Sequence, residues 1–240
     1  MVGLGTIINC AAIVVGGVLG LLFGKFIKER VQDALTVACG VSTLFLGVAG
    51  ALEGMFTVEG NTLSSGGTML IVGCLTLGTL IGEILNIEAL FERFGQWLKI
   101  KTGSARDNAF VDAFVTSSLT VCIGAMAIVG AIEDGLTGDY SVLAAKAVLD
   151  LVIIMVMTCA MGKGCIFSAI PVGLLQGAVT ALAGLLRPVM TEAALANLSL
   201  VGSILIFCVG VNLIWGKKVR VANMLPAVVL AAAAAFLPVF

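Results

Sequence analysis

The stretch VLAAKAVLDLVIIMVMTCAM, residues 142–161, decides the fold class of this chain. It is nearly all apolar and long enough for one helical crossing of a bilayer. Its charged residues, Lys146 and Asp150, are four positions apart, so on a helix they share one face and can neutralise each other. An unpaired charge at bilayer depth costs at least roughly 2.5 kcal/mol on insertion scales. The pair therefore indicates a membrane helix whose charged face is received by another part of the protein.

The composition of the whole chain supports a membrane protein. Of 240 residues, 60% are hydrophobic and only 11% are charged, and the mean hydropathy is +1.18. These values are too apolar for a soluble domain of this length. No polar block is long enough for a separate soluble domain, so we predict one integral membrane domain over residues 1–240. The first apolar run lacks a basic n-region, and we expect no cleaved signal peptide.

The apolar runs predict an all-α, polytopic transmembrane helix bundle of about eight helices. The predicted segments are 3–24, 33–52, 67–87, 109–132, 142–161, 164–186, 197–215 and 222–240. A polar loop over 59–67 separates the second and third segments. Residues 87–106, which mix aromatic and basic side chains, predict either an amphipathic helix at the interface or an extension of segment 3.

Basic residues test this topology independently of hydropathy. The loops after segments 1, 3, 5 and 7 hold Lys25, Lys28, Arg30, Arg93, Lys99, Lys101, Arg106, Lys163, Lys217, Lys218 and Arg220. The opposite loops hold only Arg187 and carry several acidic residues. Because cytoplasmic loops are enriched in lysine and arginine, we expect the odd-numbered loops in the cytoplasm and both termini outside.

Two sets of internal similarity are present. Residues 3–9, GLGTIIN, resemble residues 162–168, GKGCIFS, and residues 41–44 resemble residues 202–205. In the predicted topology segments 1 and 6 run in opposite directions, so this similarity suggests an inverted repeat of segments 1–3 and 6–8, an architecture common in secondary transporters. A second, parallel similarity relates residues 5–20 to residues 67–82 and residues 50–53 to residues 130–133.

Asp150 is the strongest candidate for a substrate or ion site. Its short side chain lies nearer mid-depth, whereas Lys146 lies near the outer end of its segment and either snorkels to water or serves as the counter-ion. A carboxylate at this depth can carry a proton, coordinate Na⁺ together with hydroxyl and carbonyl oxygens, or hold Lys146. The sequence leaves these three roles open.

Four more polar residues complete the candidate site. Asn9, Gln176 and Asn212 each either brace a helix contact or line a cavity. Ser168 precedes Pro171, which lacks a backbone donor, so we expect a helix break near Ser168 that exposes backbone polar groups to a ligand. Asn9 occupies the equivalent place on segment 1.

Glycines recur every four residues at Gly16, Gly20 and Gly24, and again at Gly78 and Gly82. Such faces let helices approach closely. They predict tight packing within the bundle or a homo-oligomer interface, and a glycine-lined solute path is the sharper alternative.

The residue inventory gives no support to an enzyme or a cofactor protein. The chain has no histidine, its seven cysteines lie in or beside apolar runs without C-x-x-C spacing, and no H-E-x-x-H or G-x-S-x-G motif occurs. We therefore expect no metal and no cofactor. Nucleic-acid binding lacks a basic patch beyond ordinary loops, and membrane lipids are the expected surroundings.

Four stretches together resemble the domain-of-unknown-function 554 family of bacterial inner-membrane proteins. They are residues 3–9, GLGTIIN; residues 122–127, CIGAMA, with 134–139, DGLTGD; residues 145–150, AKAVLD; and residues 167–171, FSAIP, with Gln176 and Gly177. The resemblance covers essentially the whole chain. It implies a multi-pass protein of the bacterial cytoplasmic membrane and no particular substrate.

These features predict an ion-coupled secondary transporter of a small solute, with H⁺ or Na⁺ as coupling ion. A passive channel or pore and a non-transporting membrane scaffold are the alternatives. In a scaffold, Lys146 and Asp150 only specify packing.

Overall fold

The computed structural model describes residues 2–59 and 62–236, and this part of the chain is an α-helical bundle with one short β-hairpin. The helices are α1 Leu4–Gly24, α2 Glu29–Met55, α3 Thr68–Leu85, α4 Ile87–Lys101, α5 Phe110–Cys122, α6 Ala125–Thr137, α7 Ser141–Met161, α8 Ala169–Ala181, α9 Ala183–Leu186, α10 Glu192–Trp215 and α11 Pro226–Ala234. Short 3₁₀ helices, Lys163–Ser168 and Val221–Met224, precede α8 and α11. The predicted all-α bundle is confirmed.

Six described helical stretches are long and apolar enough to cross a membrane, with the 3₁₀ helix Lys163–Ser168 and α8 counted as one stretch, and the bent pair α5 and α6 would make a seventh span. The last predicted segment corresponds to a shorter apolar helix over Val221–Ala234, and residues 237–240 of that segment lie outside the described residues. The count of eight membrane segments therefore stays a prediction.

Two connections differ in form from simple loops. Strands β1 (Phe56–Glu59) and β2 (Thr62–Ser65) form an antiparallel hairpin where the sequence predicts a polar loop. Residues 87–101 form the separate helix α4, because Asn86 takes a left-handed backbone with φ of 50° and ends α3.

At the N-terminus of α1, both carboxylate oxygens of Asp134 accept backbone N–H groups, from Gly3 at 3.1 Å and Gly5 at 3.0 Å. This contact ties the start of the chain to α6.

The predicted helix break near Ser168 is wrong, and a different segment is broken. The 3₁₀ helix passes into α8 through a right-handed helical Ser168, and Pro171 lies in the first turn of α8, where a missing donor costs little. The break falls instead between α5 and α6, which are bent by 64°. Gly124 takes φ 148° and ψ 147°, a conformation open to glycine and costly for other residues.

Glycine faces pack α1 closely on α7. A Cβ on Gly16 would strike the carbonyl of Leu151, and one on Gly20 would strike the carbonyl of Met155. Gly78 of α3 meets Ala227 of α11 in the same way. These faces are used within the chain, as the packing interpretation predicts, so a homo-oligomer would need another surface.

Basic residues gather at one end of the bundle, here called the basic end. Lys25 follows α1 and Lys163 follows α7, and the ends of these two helices are adjacent. Lys217, after α10, pairs with Glu88 and Glu92 of α4. Both α4 and the 3₁₀ helix before α8 pack on α5, which brings these segments together.

Candidate functional site

The Lys146–Asp150 pair is formed and buried within the bundle. Lys146 Nζ donates to both carboxylate oxygens of Asp150, at 2.8 and 2.6 Å, across one turn of α7. The residues are only 7% and 3% exposed. Lys146 therefore serves as the counter-ion and does not snorkel to water.

The break between α5 and α6 supplies the third acceptor of the lysine. Because α5 ends at Cys122, the carbonyl of Val121 lacks a partner in the next helical turn. It accepts a hydrogen bond from Lys146 Nζ at 2.9 Å. The negative end of the α5 dipole also favours the ammonium at this place.

A cavity of about 510 Å³, here called the central cavity, reaches this ion pair and is open on one side, where the lining residues Leu46, Leu149 and Val152 are exposed. It lies between α2, α7, α10 and the α5–α6 break. Its polar lining consists of Ser42, Thr43, Thr120, Lys146, Asp150 and Ser199, together with the backbone around Gly124. Most of the remaining lining is aliphatic, including Leu46, Ile153 and Val156. The arrangement combines a neutralised pair of charges with apolar walls.

Asn9 and Gln176 lie behind Asp150, outside the cavity lining. Asn9 Nδ2 donates to Gln176 Oε1 at 3.3 Å across the contact of α1 with α8, and the Asn9 amide group also interacts with the Asp150 carboxylate. Asn9 Oδ1 and Gln176 Nε2 are buried without a partner among the described residues. Lys146, Asp150, Asn9 and Gln176 thus form one continuous buried polar cluster.

The other two predicted site residues lie elsewhere. Ser168 is buried and donates to the carbonyl of Cys165 at 2.7 Å, within its own 3₁₀ helix. Asn212 holds the turn after α10: it donates to the carbonyl of Val219 at 2.7 Å and accepts from the backbone N–H groups of Lys218 and Val219, each at 2.9 Å. Neither residue lines the central cavity.

A second cavity, of about 230 Å³, opens near the basic end and is here called the basic-end cavity. Its lining includes the carboxylates of Glu88, Glu92 and Asp112 and the ammonium of Lys217. Partial burial lowers the pKa of Lys217, but its hydrogen bonds to Glu88 and Glu92 outweigh that effect and raise the pKa above its ordinary value. Lys217 is therefore charged at neutral pH.

The two cavities lie end to end along the same four helices. Neighbouring lining residues, with the basic-end cavity first, are Thr36 and Cys39 on α2, Leu119 and Thr120 on α5, Met161 and Met157 on α7, and Val209 and Ile206 on α10. Leu119, Met157 and Val209 are buried apolar side chains at the junction. They separate the cavities in this conformation.

Residues that the sequence interpretation missed were those paired over long separations. Glu88 accepts the ammonium of Lys217 at 2.7 Å and donates its backbone N–H to Asn223 Oδ1 at 2.7 Å. Asp134, near the end of α6, accepts the Gly3 and Gly5 N–H groups at the start of α1. An acidic residue in the first turn of α4 was a local signal for Glu88, but its partners could not be known. Among the described residues, no group of three or more His, Cys, Asp or Glu side chains is placed to hold a metal ion.

The sequence matches the family described as "Protein of unknown function (DUF554)" over residues 4–236. The chain belongs to the DUF554 family. The family resemblance expected from the short motifs is therefore confirmed over nearly the whole chain.

Two relatives match this member of the family over almost their full lengths. The "Uncharacterized protein YqgA" of Escherichia coli (strain K12) is 29% identical over 232 residues, which are 95% of this chain and 94% of that protein. The "Uncharacterized membrane protein YdfK" of Bacillus subtilis (strain 168) is 28% identical over 226 residues, or 94% of this chain and 93% of that protein. No solved structure matches the chain. With its apolar helices, the chain is a multi-pass membrane protein.

Proposed function

We propose that this protein is an ion-coupled secondary transporter of a small solute across the bacterial cytoplasmic membrane. The observation that carries the proposal is the central cavity of about 510 Å³, which is lined by the buried Lys146–Asp150 pair. A pair of charges at bilayer depth is costly to maintain. The pair lies on the wall of a cavity large enough for a small solute, and a role in binding that solute would explain why the protein keeps two charges there.

The α5–α6 break supports the proposal. Non-helical backbone at membrane depth is tolerated where it lines a cavity or is buried in protein, and transporters place such broken helices at their substrate sites. Here the break borders the central cavity, and it leaves the Val121 carbonyl free to accept a hydrogen bond from Lys146. A solute in the cavity would meet the backbone around Gly124, the hydroxyls of Ser42 and Ser199, and the ion pair.

Asp150 is the proposed coupling residue. In the present arrangement its charge is balanced by Lys146, which binds both carboxylate oxygens. If Asp150 takes up a proton or binds Na⁺, the ammonium is released from one of its partners and becomes available to the solute. Asn9 of α1 stabilises the charged form of Asp150 through its amide group, and Gln176 of α8 holds Asn9 in place.

The two cavities support alternating access. They lie on one line through α2, α5, α7 and α10, separated by a buried apolar layer that includes Leu119 and Met157. Movement of that layer would expose the central cavity to the basic end. We assign the basic end to the cytoplasm, because lysine and arginine are enriched in cytoplasmic loops, and both termini to the outside.

The packing of the helices is consistent with the proposed inverted repeat. Segments 1, 2 and 3 would correspond to segments 6, 7 and 8, and in the bundle each pair is in contact: α1 with α8, α2 with α10, and α3 with α11. Sites between inverted repeats are the common architecture of secondary transporters. We propose no enzymatic activity and no cofactor for this protein.

Gradient-driven flux through purified protein tests the proposal. The protein is reconstituted in liposomes on a solid-supported membrane, and currents are recorded when proton or sodium gradients are applied with pools of amino acids, organic acids, sugars or nucleosides. We expect one pool to give a gradient-dependent current that Asp150→Asn abolishes and that Asp139→Asn, at an exposed loop carboxylate, leaves intact. Normal gradient-driven current in Asp150→Asn would remove Asp150 from the mechanism.

The same preparation separates the alternatives. Conductance that persists in planar bilayers without a coupling gradient would favour a channel. A double variant with Lys146→Met and Asp150→Leu that folds and keeps the cellular phenotype would favour a scaffold, because the charges would then serve packing alone.

A further inference from the structure

We propose that the central cavity binds a single-chain amphiphile with one negative charge, which enters from the hydrocarbon layer of the membrane through the open side of the cavity. This ligand class rests on the proposed function, because the amphiphile would be the transported solute. Three features point to it: the depth at which the cavity opens, the change of polarity along its wall, and the charge balance of the Lys146–Asp150 pair.

The central cavity opens at the depth of the hydrocarbon layer. Its exposed lining residues include Leu46 of α2, Met126 of α6, and Leu149 and Val152 of α7, which are 62%, 40%, 53% and 49% exposed. Each lies near the middle of a helical stretch that can span a membrane, or of the bent α5–α6 pair. Apolar side chains exposed at this depth face hydrocarbon. A ligand that enters by this side must therefore dissolve in the bilayer.

The cavity wall changes from charged to apolar along α7. Lys146 and Asp150 lie in the part away from the basic end, and Ile153, Val156 and Met157 follow in the direction of the basic end. At about 1.5 Å per residue, the apolar part from Asp150 to Met157 is roughly 10 Å long. A polar head beside Lys146 and a hydrocarbon chain along this wall would each contact matching groups.

The size of the cavity favours a ligand with one chain. Its volume of about 510 Å³ lies within the range of pockets that hold small molecules. A head group and part of one hydrocarbon chain fit such a volume, and the rest of the chain can extend through the open side into the bilayer. The two chains of a phospholipid would exceed it.

The ion pair selects a head group with one negative charge. Lys146 Nζ donates to both carboxylate oxygens of Asp150 and to the Val121 carbonyl, so its three donors are engaged in the present arrangement. When Asp150 takes up a proton or binds Na⁺, donors of the ammonium are released and the pair gains one positive charge. One negative charge on the ligand restores neutrality, which is the least costly state at bilayer depth.

Photolabelling in nanodiscs of zwitterionic lipid tests the proposal. The probe is dodecanesulfonate with a diazirine in the middle of its chain, because a sulfonate keeps its single negative charge at every working pH. Labelled residues are identified by mass spectrometry. We expect saturable labelling of the apolar wall, at Ile153 or Val156, that unlabelled dodecanesulfonate prevents.

Competitors separate the head group from the chain. Dodecanol and dodecyltrimethylammonium should need at least about tenfold higher mole fractions than dodecanesulfonate, the factor that corresponds to one hydrogen bond with a charged group. Ethanesulfonate has the head group without the long chain, and phosphatidylglycerol carries one negative charge on two chains. Neither should compete at the level that suffices for dodecanesulfonate.

The first pair of variants tests the route of entry. Leu149→Trp narrows the open side and should lose most of the saturable labelling. Val148→Trp is the matched control, because Val148 is 66% exposed at the neighbouring position and does not line the central cavity. It should label like the wild type.

The second pair of variants tests the ion pair. Asp150→Asn leaves Lys146 charged without its carboxylate partner, so the half-saturating mole fraction of the probe should fall by at least about tenfold. The double variant Lys146→Met with Asp150→Leu removes both charges. In that variant dodecanol should compete as well as dodecanesulfonate.

Four results would overturn the proposal. They are labelling that does not saturate in the wild type, equal competition by dodecanesulfonate and any of the four other competitors, equal labelling in Leu149→Trp and Val148→Trp, and a retained preference for the sulfonate in the double variant. The competition series uses the wild-type protein, so it decides even if a variant fails to fold.

Failure of the proposed function gives a different result. Amphiphile binding that passes these tests, without gradient-driven flux of dodecanesulfonate in liposomes, would contradict transport and leave the binding site in place. A gradient-driven current with a water-soluble solute that dodecanesulfonate does not inhibit would overturn the ligand class and leave transport in place.

Discussion

Removing one partner of the Lys146–Asp150 pair should destabilise the protein far more than removing both. In Asp150→Leu, Lys146 Nζ loses two of its three acceptors and keeps only the Val121 carbonyl. An uncompensated buried charge of this kind costs about 3–5 kcal/mol in proteins, and insertion scales give roughly 2.5–3.5 kcal/mol for a charge at the centre of a membrane helix. We therefore expect Asp150→Leu to lower the free energy of unfolding by about 3 kcal/mol, a value near the overlap of the two ranges.

The double variant Lys146→Met with Asp150→Leu should recover most of this loss, because replacing a buried pair by apolar side chains is often neutral. Thermal unfolding in detergent micelles, followed through the thiols of buried Cys74, Cys159 and Cys165, provides the assay. For a chain of this size, about 3 kcal/mol corresponds to a lower midpoint by about 6–12 °C. A shift below about 3 °C in Asp150→Leu, or a double variant no more stable than the single one, would refute the argument.

Packing, helix capping and surface ion pairing supply three more expected outcomes in the same unfolding assay. Gly20→Ala should cost about 1–3 kcal/mol because its methyl group meets the Met155 carbonyl, whereas Gly177→Ala, with nothing within 4 Å of its Cβ, should be neutral or stabilising; equal effects would refute the packing argument. Asp134→Ala should cost about 0.5–2 kcal/mol as a lost helix cap, and an unchanged midpoint would count against that role. The folded-state pKa of Lys217 is raised, so its ion pairs stabilise the fold below the unfolded lysine pKa of about 10.4, and this stability is lost as pH rises through the folded pKa. The difference between the wild type and Lys217→Met should accordingly be constant near neutral pH and vanish in strong alkali, and a difference that grows with pH would contradict this sign.

The helical class and the placement of the two charges on one helix face followed from the sequence because both depend on local pattern, whereas the sequence left open whether Lys146 snorkels to water. Long apolar runs must form helices in a bilayer, since every backbone polar group has to be satisfied within the segment. The spacing of Lys146 and Asp150 fixed their pairing on one face before any tertiary contact was known. The glycine spacing at Gly16 and Gly20 likewise identified a close helix contact.

The helix break and the basic-end cavity could not be placed from the sequence. Gly124 is one of 30 glycines, and its unusual backbone depends on how α5 and α6 are held by their neighbours. Pro171 gave a stronger local signal for a break but lies where a helix tolerates it. Glu88 and Asn223 are 135 positions apart and meet only in the folded bundle. Asn212 was predicted either to brace a helix contact or to line a cavity, and its amide group holds the turn after α10.

Water access to the central cavity tests the central claim most directly. In a cysteine-free background, single cysteines are introduced by Ser42→Cys, which lines the cavity, and by Phe45→Cys, which is 71% exposed on α2 and does not line it. Both are treated in membranes with a charged, membrane-impermeant methanethiosulfonate. The account predicts that the cysteine at position 42 reacts and the one at position 45, facing lipid at similar depth, does not. Equal reactivity of the two, or none at position 42 when the reagent is applied from either side, would contradict an aqueous transport site beside Asp150.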